Sequence, residues 1–446
     1  MTKFIDRLKL KPHRILVIGF ALIMLTGGIL LNLPISSVGR ESVGFINALF
    51  TSVSATSVTG LIVVNTAHHW SLFGKTVILC LIQIGGLGFM TLTTLIAIIL
   101  GKKIGLKDRL IIQEELNQFN LSGVVKLVKY VVKATFVIEI TGAVILASRF
   151  IPQYGILKGS AFAVFHSVSA YCNAGFDIIG DSLVGYAGDP LVILTISGLI
   201  IIGGIGYTVY IDIANSRKFG RLSVHSKFAI IITALLLAGG TLFILATEWS
   251  NAETLRNMTL GEKVLAAFMQ SVTTRTAGFN SIDLSHIRPA TAFCMIILMF
   301  IGGSPGSTAG GIKTTTFGTL MVAVFSIVRG KREAEVFKRT IPKDLVLRAL
   351  AVAFASGFLV VFMVMAMAIT ENKEFLAIVY ETVSAFSTCG VTMGITSNLT
   401  DIGKVLMLTT MYVGKVGPLT LAFAIAKKSS NLDGNYKYPD GKIIIG

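Results

Sequence analysis

The chain has few charged residues and few cysteines, and both shortages limit what kind of protein it is. Only 14% of its 446 residues are charged, whereas 53% are hydrophobic. Such an apolar composition is typical of polytopic membrane proteins, and no soluble domain is needed to account for it. The four cysteines are never spaced as C-x-x-C. The sequence therefore indicates neither a disulfide framework nor a zinc site.

The charges that are present are mostly basic, with a net charge of +16. Five segments between the hydrophobic runs hold 27 of the 39 Lys and Arg residues and 10 of the 23 acidic residues: 1–14, 101–133, 212–227, 329–348 and 427–442. The positive-inside rule predicts that these segments and both termini are cytoplasmic. Because the charge forms no compact basic domain, the pattern argues against nucleic-acid binding.

Seven hydrophobic runs are long enough to cross a bilayer as helices, which takes about 20 residues each. The predicted spans are 15–33, 77–100, 131–147, 191–211, 228–246, 349–369 and 405–426. An eighth run begins near Ala292 and is interrupted.

Four polar runs, each ending in glycine, divide the chain into units of similar length. The glycines are Gly60, Gly175, Gly278 and Gly390, separated by 115, 103 and 112 positions. A second glycine pattern, such as Ile-Gly-Gly, follows each of them after 25, 28, 24 or 24 positions. Internal repetition thus explains the whole chain. The predicted units are 1–110, 111–220, 221–335 and 336–446.

The segment before each polar run is too short to span a membrane. These segments are 46–56, 160–171, 263–274 and 374–386. They suit half-helices that enter from outside and return, and the negative ends of their dipoles would then favour a cation at the membrane centre. Glycine permits backbone angles closed to other residues, so each run can turn its carbonyls towards an axis.

The predicted fold is therefore an all-α polytopic membrane protein. Its four tandem units, each a helix, a pore helix with its loop and a second helix, are expected to be arranged pseudo-fourfold around a central pore. In the third unit, the Ser271-Val272 pair lies one residue nearer its glycine than the equivalent pairs do. This spacing predicts a shifted helix register or a tighter turn there.

The second hydrophobic run of the third unit is rich in glycine, serine and threonine. Five glycines and a proline lie between Gly302 and Thr316, and such backbone survives at membrane depth only where it lines water or protein. We predict an intramembrane loop there that faces the pore. Lys415 is expected to contact it or to repel cations. The residues concerned are Ser304, Pro305, Gly306, Ser307, Thr308, Ala309, Gly310, Gly311, Ile312, Lys313, Thr314 and Lys415.

Other polar residues at membrane depth have structural interpretations. Arg275 is expected to point behind the filter and brace it, and Glu139 to make a buried contact between helices. His166 and Glu381 occupy equivalent positions in two short helices, and hydrogen bonding is favoured there over metal binding. The glycines near Lys313 do not match a phosphate loop, because Gly-Lys-Ser/Thr is interrupted.

The four glycine-ending units and the Gly-Gly-Ser-Pro-Gly-Ser-Thr-Ala-Gly-Gly break resemble the Trk/Ktr/HKT superfamily of cation translocators. The resemblance covers nearly the entire chain, and the modest length is most similar to the membrane subunits of bacterial Ktr potassium-uptake systems. In this family, glycine in all four units goes with potassium selectivity and serine in the first with sodium transport. The filter residues that the resemblance implies are Val58, Thr59, Gly60, Asn173, Ala174, Gly175, Thr276, Ala277, Gly278, Thr388, Cys389 and Gly390. In the family an intramembrane loop obstructs the permeation path, so the resemblance implies that residues 304–316, with Lys415, form the gate.

The resemblance also implies ions and partners. Potassium, held at the backbone carbonyls of the filter, is the expected substrate, and sodium is expected to stimulate its uptake. The protein would be a homodimer in the lipid of the bacterial cytoplasmic membrane, with a pore in each protomer. A cytoplasmic ring of KtrA-like regulatory subunits would bind ATP or NAD(H), so no cofactor is expected in this chain.

Two other functions stay open at the level of sequence. An alternating-access carrier coupled to a cation also uses broken helices, but it expects inverted repeats, whereas these four units share one orientation. An intramembrane enzyme or a scaffold is the second alternative. An enzyme would need a nucleophile with its base, or a metal set, and the six histidines form no such spacing.

Overall fold

The computed structural model describes residues 12–88, 91, 94, 95, 97, 98, 104–115, 123–216, 218–331, 333–418 and 420. Sixteen α-helices lie in this part of the chain: α1 Pro12–Leu31, α2 Phe45–Ser57, α3 Thr66–His69, α4 Leu72–Leu87, α5 Leu106–Glu115, α6 Val124–Tyr154, α7 Ile156–Tyr171, α8 Pro190–Ile205, α9 Tyr207–Ser216, α10 Val224–Glu248, α11 Leu260–Thr273, α12 Pro289–Phe300, α13 Thr314–Val328, α14 Lys343–Thr370, α15 Phe375–Phe386 and α16 Asp401–Val416.

The remaining regular structure is short. The strands β1 Ala334–Val336 and β2 Arg339–Ile341 pair antiparallel between α13 and α14. Five single turns of 3₁₀-helix lie in the linkers: Pro34–Ser36, Val184–Tyr186, Phe219–Arg221, Leu284–His286 and Thr396–Asn398.

Each unit begins with a long apolar helix, which we call its first helix: α1, α6, α10 and α14. All four have an apolar window long enough to cross a membrane, and the bent pair α8 and α9 gives a fifth candidate span. The short helices α2, α7, α11 and α15 follow, with 12 to 16 residues each. They lie where the sequence predicts half-helices, and this part of the prediction is confirmed.

A serine–glycine–leucine contact joins the three helices of a unit in units 1 to 3. In each, a serine hydroxyl of the short helix donates to a backbone carbonyl of the first helix: Ser52 to Met24 at 2.7 Å, Ser167 to Glu139 at 2.6 Å and Ser271 to Leu237 at 2.8 Å. Three residues after each carbonyl stands a glycine against which a leucine of the second helix packs: Gly27 with Leu81, Gly142 with Leu199 and Gly240 with Leu298. Unit 4 lacks this contact, because Thr382 donates to its own helix at Ile378.

The second helices α4, α8, α12 and α16 connect neighbouring units. Each packs against the short helix of the next unit in chain order, α4 against α7, α8 against α11 and α12 against α15. The series closes because α16 packs against α2. The four short helices are therefore enclosed by second helices taken in cyclic order.

The second helices are broken in more units than the sequence suggests. The runs 77–100, 191–211 and 405–426 were expected to be continuous, but α4, α8 and α16 stop before Gly88, Gly206 and Gly417. These glycines have φ angles of +85°, +99° and +90°, which glycine adopts without steric cost. At Gly206 the chain bends by 93°. The prediction of continuous spans is therefore wrong, and much of the first and last run beyond these glycines lies outside the described residues.

Candidate cation pathway

The four polar runs form four turns at the ends of the short helices. Gly60, Gly175, Gly278 and Gly390 all have positive φ angles, and so do the non-glycine residues two positions earlier, Val58, Asn173, Thr276 and Thr388, at 61°, 61°, 69° and 52°. A left-handed conformation costs an L-residue roughly 1–2 kcal/mol and is rarest for β-branched side chains, which three of these four carry. Strain repeated at one place in four units is typical of a functional site.

Backbone hydrogen bonds close three of these turns in the same way. The residue before the glycine donates to the carbonyl five positions earlier: Thr59 to Ser54 at 2.8 Å, Ala174 to Ser169 at 2.7 Å and Cys389 to Ser384 at 2.8 Å. With the left-handed residue before the donor, this is the Schellman arrangement that ends many helices. Two of these serines also stabilise the turns through their side chains. Gly60 donates to the hydroxyl of Ser54 and Gly390 donates to the hydroxyl of Ser384, both at 3.1 Å.

The turn of unit 3 is one residue shorter. Ala277 donates to Thr273, four positions earlier, at 3.0 Å. The spacing of the Ser271-Val272 pair left open a shifted helix or a tighter turn, and the hydrogen bond shows the tighter turn.

The four glycines lie close to one another, and we call this set the glycine ring. A methyl group built on Gly60 would lie 2.5 Å from the carbonyl oxygen of Ala174, and one on Gly175 would lie 2.8 Å from that of Ala277. On Gly278 it would lie 3.1 Å from the carbonyl of Cys389, and on Gly390 it would overlap that of Thr59. Each glycine thus faces the carbonyl before the next unit's glycine, in cyclic order.

All twelve residues expected to form the filter are buried and lie in these turns. Three of the four left-handed residues also carry a buried side-chain oxygen without a hydrogen-bond partner in the described part of the chain: Asn173 Oδ1, Thr276 Oγ1 and Thr388 Oγ1. Buried polar atoms are normally paired. The turns are therefore rich in oxygen atoms that protein groups do not saturate.

The predicted intramembrane loop corresponds to an irregular segment from Ile301 to Lys313, between α12 and α13. Its two ends pair, because Gly302 donates to Ile312 at 2.9 Å and Thr314 donates to Gly303 at 3.0 Å. The hydroxyls of Ser304 and Thr314 also lie 2.9 Å apart. The predicted residues Ser304 to Lys313 thus form one closed loop, while Thr314 already begins α13.

The loop is hydrogen-bonded to the break between α8 and α9. Ser304 donates to Gly204 at 2.9 Å, Thr308 donates to Gly203 at 3.3 Å, and Tyr207 donates to Gly306 at 2.8 Å. The sequence did not predict this contact between the loop and the α8–α9 break. The repeated glycine pair of unit 2 was the available signal, but we interpreted it as part of a continuous helix.

The other side of the loop contacts the turns of the glycine ring. The hydroxyl of Thr308 lies 3.5 Å from the carbonyl of Tyr171, at the end of α7. Gly310 packs so closely against the side chain of Thr388 that a methyl group on it would overlap the Thr388 hydroxyl. The loop therefore touches the turns of units 2 and 4 directly.

Three basic side chains donate to carbonyls of the loop. Arg275 Nη1 lies 3.0 Å from the carbonyl oxygens of both Ile301 and Gly302. Lys313 Nζ lies 2.6 Å from Ala309 O, and Lys415 Nζ lies 3.4 Å from Thr308 O. Arg275 thus links the turn of unit 3 to the first residues of the loop, and Lys415 reaches the loop from unit 4.

A cavity of about 890 Å³ borders the loop. Loop residues line it together with the glycine breaks of α4 and α16 and the start of α9, and Lys313 and Lys415 are among the lining side chains. His166 and Glu381 lie elsewhere, where His166 Nδ1 is 2.7 Å from Phe162 O and Glu381 accepts from Thr392 and Thr396. Within the described residues, no three His, Cys, Asp or Glu side chains could hold a metal ion together.

Comparison with known proteins identifies the family. The family model described as a cation transport protein, TrkH, matches residues 17–434. The chain is 45% identical over 444 residues to the Ktr system potassium uptake protein B of Bacillus subtilis, covering 100% of this chain and 99% of the relative. It is 44% identical to the potassium/sodium uptake protein NtpJ of Enterococcus hirae, covering 99% and 98%.

The fold also matches a solved structure. The potassium transporter TrkH from Vibrio parahaemolyticus superposes with a TM-score of 0.71 at 18% identity, over 93% of this chain and 84% of the other. These matches confirm the resemblance inferred from the glycine pattern, and the family consists of transport proteins rather than enzymes. The chain therefore belongs to the TrkH family of cation transport proteins.

Proposed function

We propose that this protein takes up potassium across the bacterial cytoplasmic membrane through the glycine ring. The observation that carries the proposal is the cyclic contact of Gly60, Gly175, Gly278 and Gly390 with the carbonyl before the next glycine. Backbone carbonyls around an axis replace the hydration shell of a cation. The ends of four short helices add their negative dipole ends at the same place. Selection of the ion is thus shared by four equivalent turns.

Potassium is favoured over other cations by two observations. Both relatives compared above are named as potassium or potassium/sodium uptake proteins. All four ring positions are glycine, so no serine occupies the ring position of the first unit. We also propose that sodium stimulates uptake; in support of a role for sodium, the Enterococcus relative is named as an uptake protein for potassium and sodium.

We further propose that the loop 301–313 is the gate. It contacts the turns of units 2 and 4 on one side and borders the cavity on the other. Lys313 and Lys415 lie at this point of the path, so a cation that passes must overcome their charge or wait until the loop moves. Control of the loop would come from KtrA-like cytoplasmic subunits that bind ATP or NAD(H), acting on a homodimer whose basic segments and termini face the cytoplasm.

Uptake in cells without their own potassium systems tests the proposal. The intact chain, expressed with a regulatory subunit, should restore growth at low potassium and take up rubidium. Gly60→Ser should lower the preference for potassium over sodium. Gly44→Ser is the matched control, because Gly44 also has a positive φ of 86° but has open space around it. Equal preference in Gly60→Ser and the intact chain would remove Gly60 from the filter.

A further inference from the structure

A buried carboxylate lies behind the turn of unit 2 and has no part in the ring or the gate. Glu139, in the middle of α6, is only 4% exposed. Ionisable side chains within membrane helices are costly and are usually functional. Some favourable interaction must therefore offset the cost of burying the Glu139 carboxylate.

The internal repeat shows that the carboxylate is not needed for packing of its helix. The backbone carbonyl of Glu139 accepts from Ser167, and the equivalent carbonyls in units 1 and 3 belong to Met24 and Leu237. An apolar side chain serves at this position in both of those units. The carboxylate of unit 2 is thus an addition to a contact that is complete without it.

Only neutral groups donate to the carboxylate. Gln83 Nε2, on α4 of unit 1, lies 3.1 Å and 3.4 Å from its two oxygens, and Cys172 Sγ lies 3.8 Å from Oε1. The ion pairs among the described residues are Arg149–Asp189, His286–Asp283, Lys331–Glu335 and Lys404–Asp401. None of them includes Glu139. A buried carboxylate without a cation is strongly unfavourable, and two neutral hydrogen bonds compensate it only in part.

The glycine ring is a nearby place where a permeating cation would reside. The fixed cation of Lys415 lies on the same side, since Lys415 Nζ is 3.4 Å from Thr308 O and the Thr308 hydroxyl is 3.5 Å from the carbonyl of Tyr171, next to Cys172. Cys172 belongs to the turn of unit 2 and stands three residues before Gly175, a stretch of chain that spans at most about 10 Å. Both Glu139 and Cys172 are buried, and charges interact more strongly through protein than through water. A cation in the ring therefore lies within the reach of the Glu139 charge.

We propose that Glu139 is a fixed negative charge whose counter-ion is the permeating cation, and that it sets the affinity of the ring for potassium. This inference rests on the proposed function. Gln83 and Cys172 hold the carboxylate beside the turn of unit 2. The Glu139 carboxylate attracts the ion electrostatically from a distance and does not coordinate it.

Rubidium uptake by the full chain with its regulatory subunit tests the inference. In Glu139→Gln, the KM for rubidium should rise by about tenfold, because one charge at this distance has been removed, while the maximal rate changes less than about twofold. Glu139→Asp should keep the KM near that of the intact chain. Glu253→Gln is the matched control for loss of one negative charge, since Glu253 lies exposed in the linker after α10.

An exchange of the two partners separates charge from packing. The double variant Glu139→Gln, Gln83→Glu keeps one carboxylate and one amide in the same seam, and its KM should return to within about twofold of the intact chain. If Glu139→Gln alone does not accumulate in the membrane, this double variant still tests whether the negative charge sets the KM. Gln83→Met removes a donor but leaves the carboxylate, so its KM should rise clearly less than that of Glu139→Gln.

Three results would overturn the inference while leaving potassium uptake by the intact chain established. The first is an unchanged KM in Glu139→Gln. The second is a raised KM in the exchanged double variant. The third is a KM raised as much by Gln83→Met as by Glu139→Gln, which would mean that the hydrogen bond and not the charge is needed. Failure of the intact chain to take up rubidium would instead overturn the proposed function.

Discussion

The turns of units 1, 2 and 4 are closed by the same backbone hydrogen bond, whereas the turn of unit 3 is closed by a shorter one. Three turns close over five residues and the fourth over four. At the position three before the ring glycine, Ser57 and Ser387 bond within their own turns, but Arg275 reaches the loop. The ring is therefore built from four similar turns, while the side chain at this position bonds to the loop in unit 3 alone among the described turns.

Cys172 extends this comparison to unit 2. It occupies the same position as Arg275, and its side chain also leaves the turn, towards Glu139. At this position, units 1 and 4 thus have side chains that bond within their own unit, and units 2 and 3 have side chains that contact other elements. We infer that changes in units 2 and 3 alter how the pore is filled and opened, while changes in the ring itself alter what the pore accepts.

The largest effect should follow a side chain placed in the ring. In Gly390→Ala, the added methyl group overlaps the carbonyl of Thr59, and overpacking by a methyl group costs about 1–3 kcal/mol, here directly on the ion path. Rubidium uptake should fall by about 100-fold. Gly394→Ala is the control, because Gly394 has a similar φ of 89° and open space around it. Normal uptake by Gly390→Ala would show that the four turns do not line the path.

A smaller effect is expected where the turn of unit 3 holds the loop. Arg275→Leu leaves the carbonyls of Ile301 and Gly302 without their shared donor, at a cost of about 1–3 kcal/mol, so the seated loop should be less stable. Uptake without the regulatory subunit should rise by about tenfold. Arg275→Lys keeps a donor and should rise less. If both variants remain as dependent on the regulator as the intact chain, Arg275 does not hold the gate.

The contact from unit 4 to the loop should matter less. Lys415 meets Thr308 through one bond of 3.4 Å, so Lys415→Ala should raise uptake by about threefold, since a net hydrogen bond is worth about 1 kcal/mol. Lys404→Ala on the same helix is the control, because Lys404 pairs with Asp401 near the start of α16. Unchanged flux and unchanged regulation in Lys415→Ala would remove it from the gate.

The smallest effect concerns the serine contacts shared by units 1 to 3. Ser52→Ala, Ser167→Ala and Ser271→Ala should each lower the stability of the purified protein by about 1 kcal/mol, with the potassium preference unchanged. Thr382→Ala, whose hydroxyl stays on its own helix, should lower it less. Thermal unfolding in detergent measures all four. A shift in ion preference in any of the serine variants would show that these contacts shape the glycine ring and do not merely join the helices of a unit.

The sequence was sufficient for the repeated features of the fold. Glycine at fixed spacing, the apolar first helices and the short segments before each turn all follow local rules, so they could be predicted one unit at a time. The tighter turn of unit 3 was visible as a missing residue. What could not be predicted depends on pairs of distant segments, such as the loop on Gly203 and Gly204, or Glu139 with Gln83 and Cys172.

The breaks at Gly88, Gly206 and Gly417 were missed for another reason. Glycine pairs in apolar helices often allow close helix packing. The same glycine-rich sequence also permits a left-handed residue that ends a helix. Only the neighbouring carbonyls distinguish the two. In units 1, 2 and 4, the first glycine of each pattern lies against the carbonyl of Thr56, Tyr171 or Phe386, so packing and breaking occur within a few residues of each other.

We propose that the ring selects the ion and that the loop admits it. Both parts are tested by the permeability ratio of potassium to sodium, measured electrically across bilayers that contain the intact protein, Gly60→Ser or Lys415→Ala. We expect a ratio at least about tenfold lower in Gly60→Ser, and in Lys415→Ala a ratio within about twofold of the intact protein together with a larger current. A ratio that falls as far in Lys415→Ala as in Gly60→Ser would contradict this proposal.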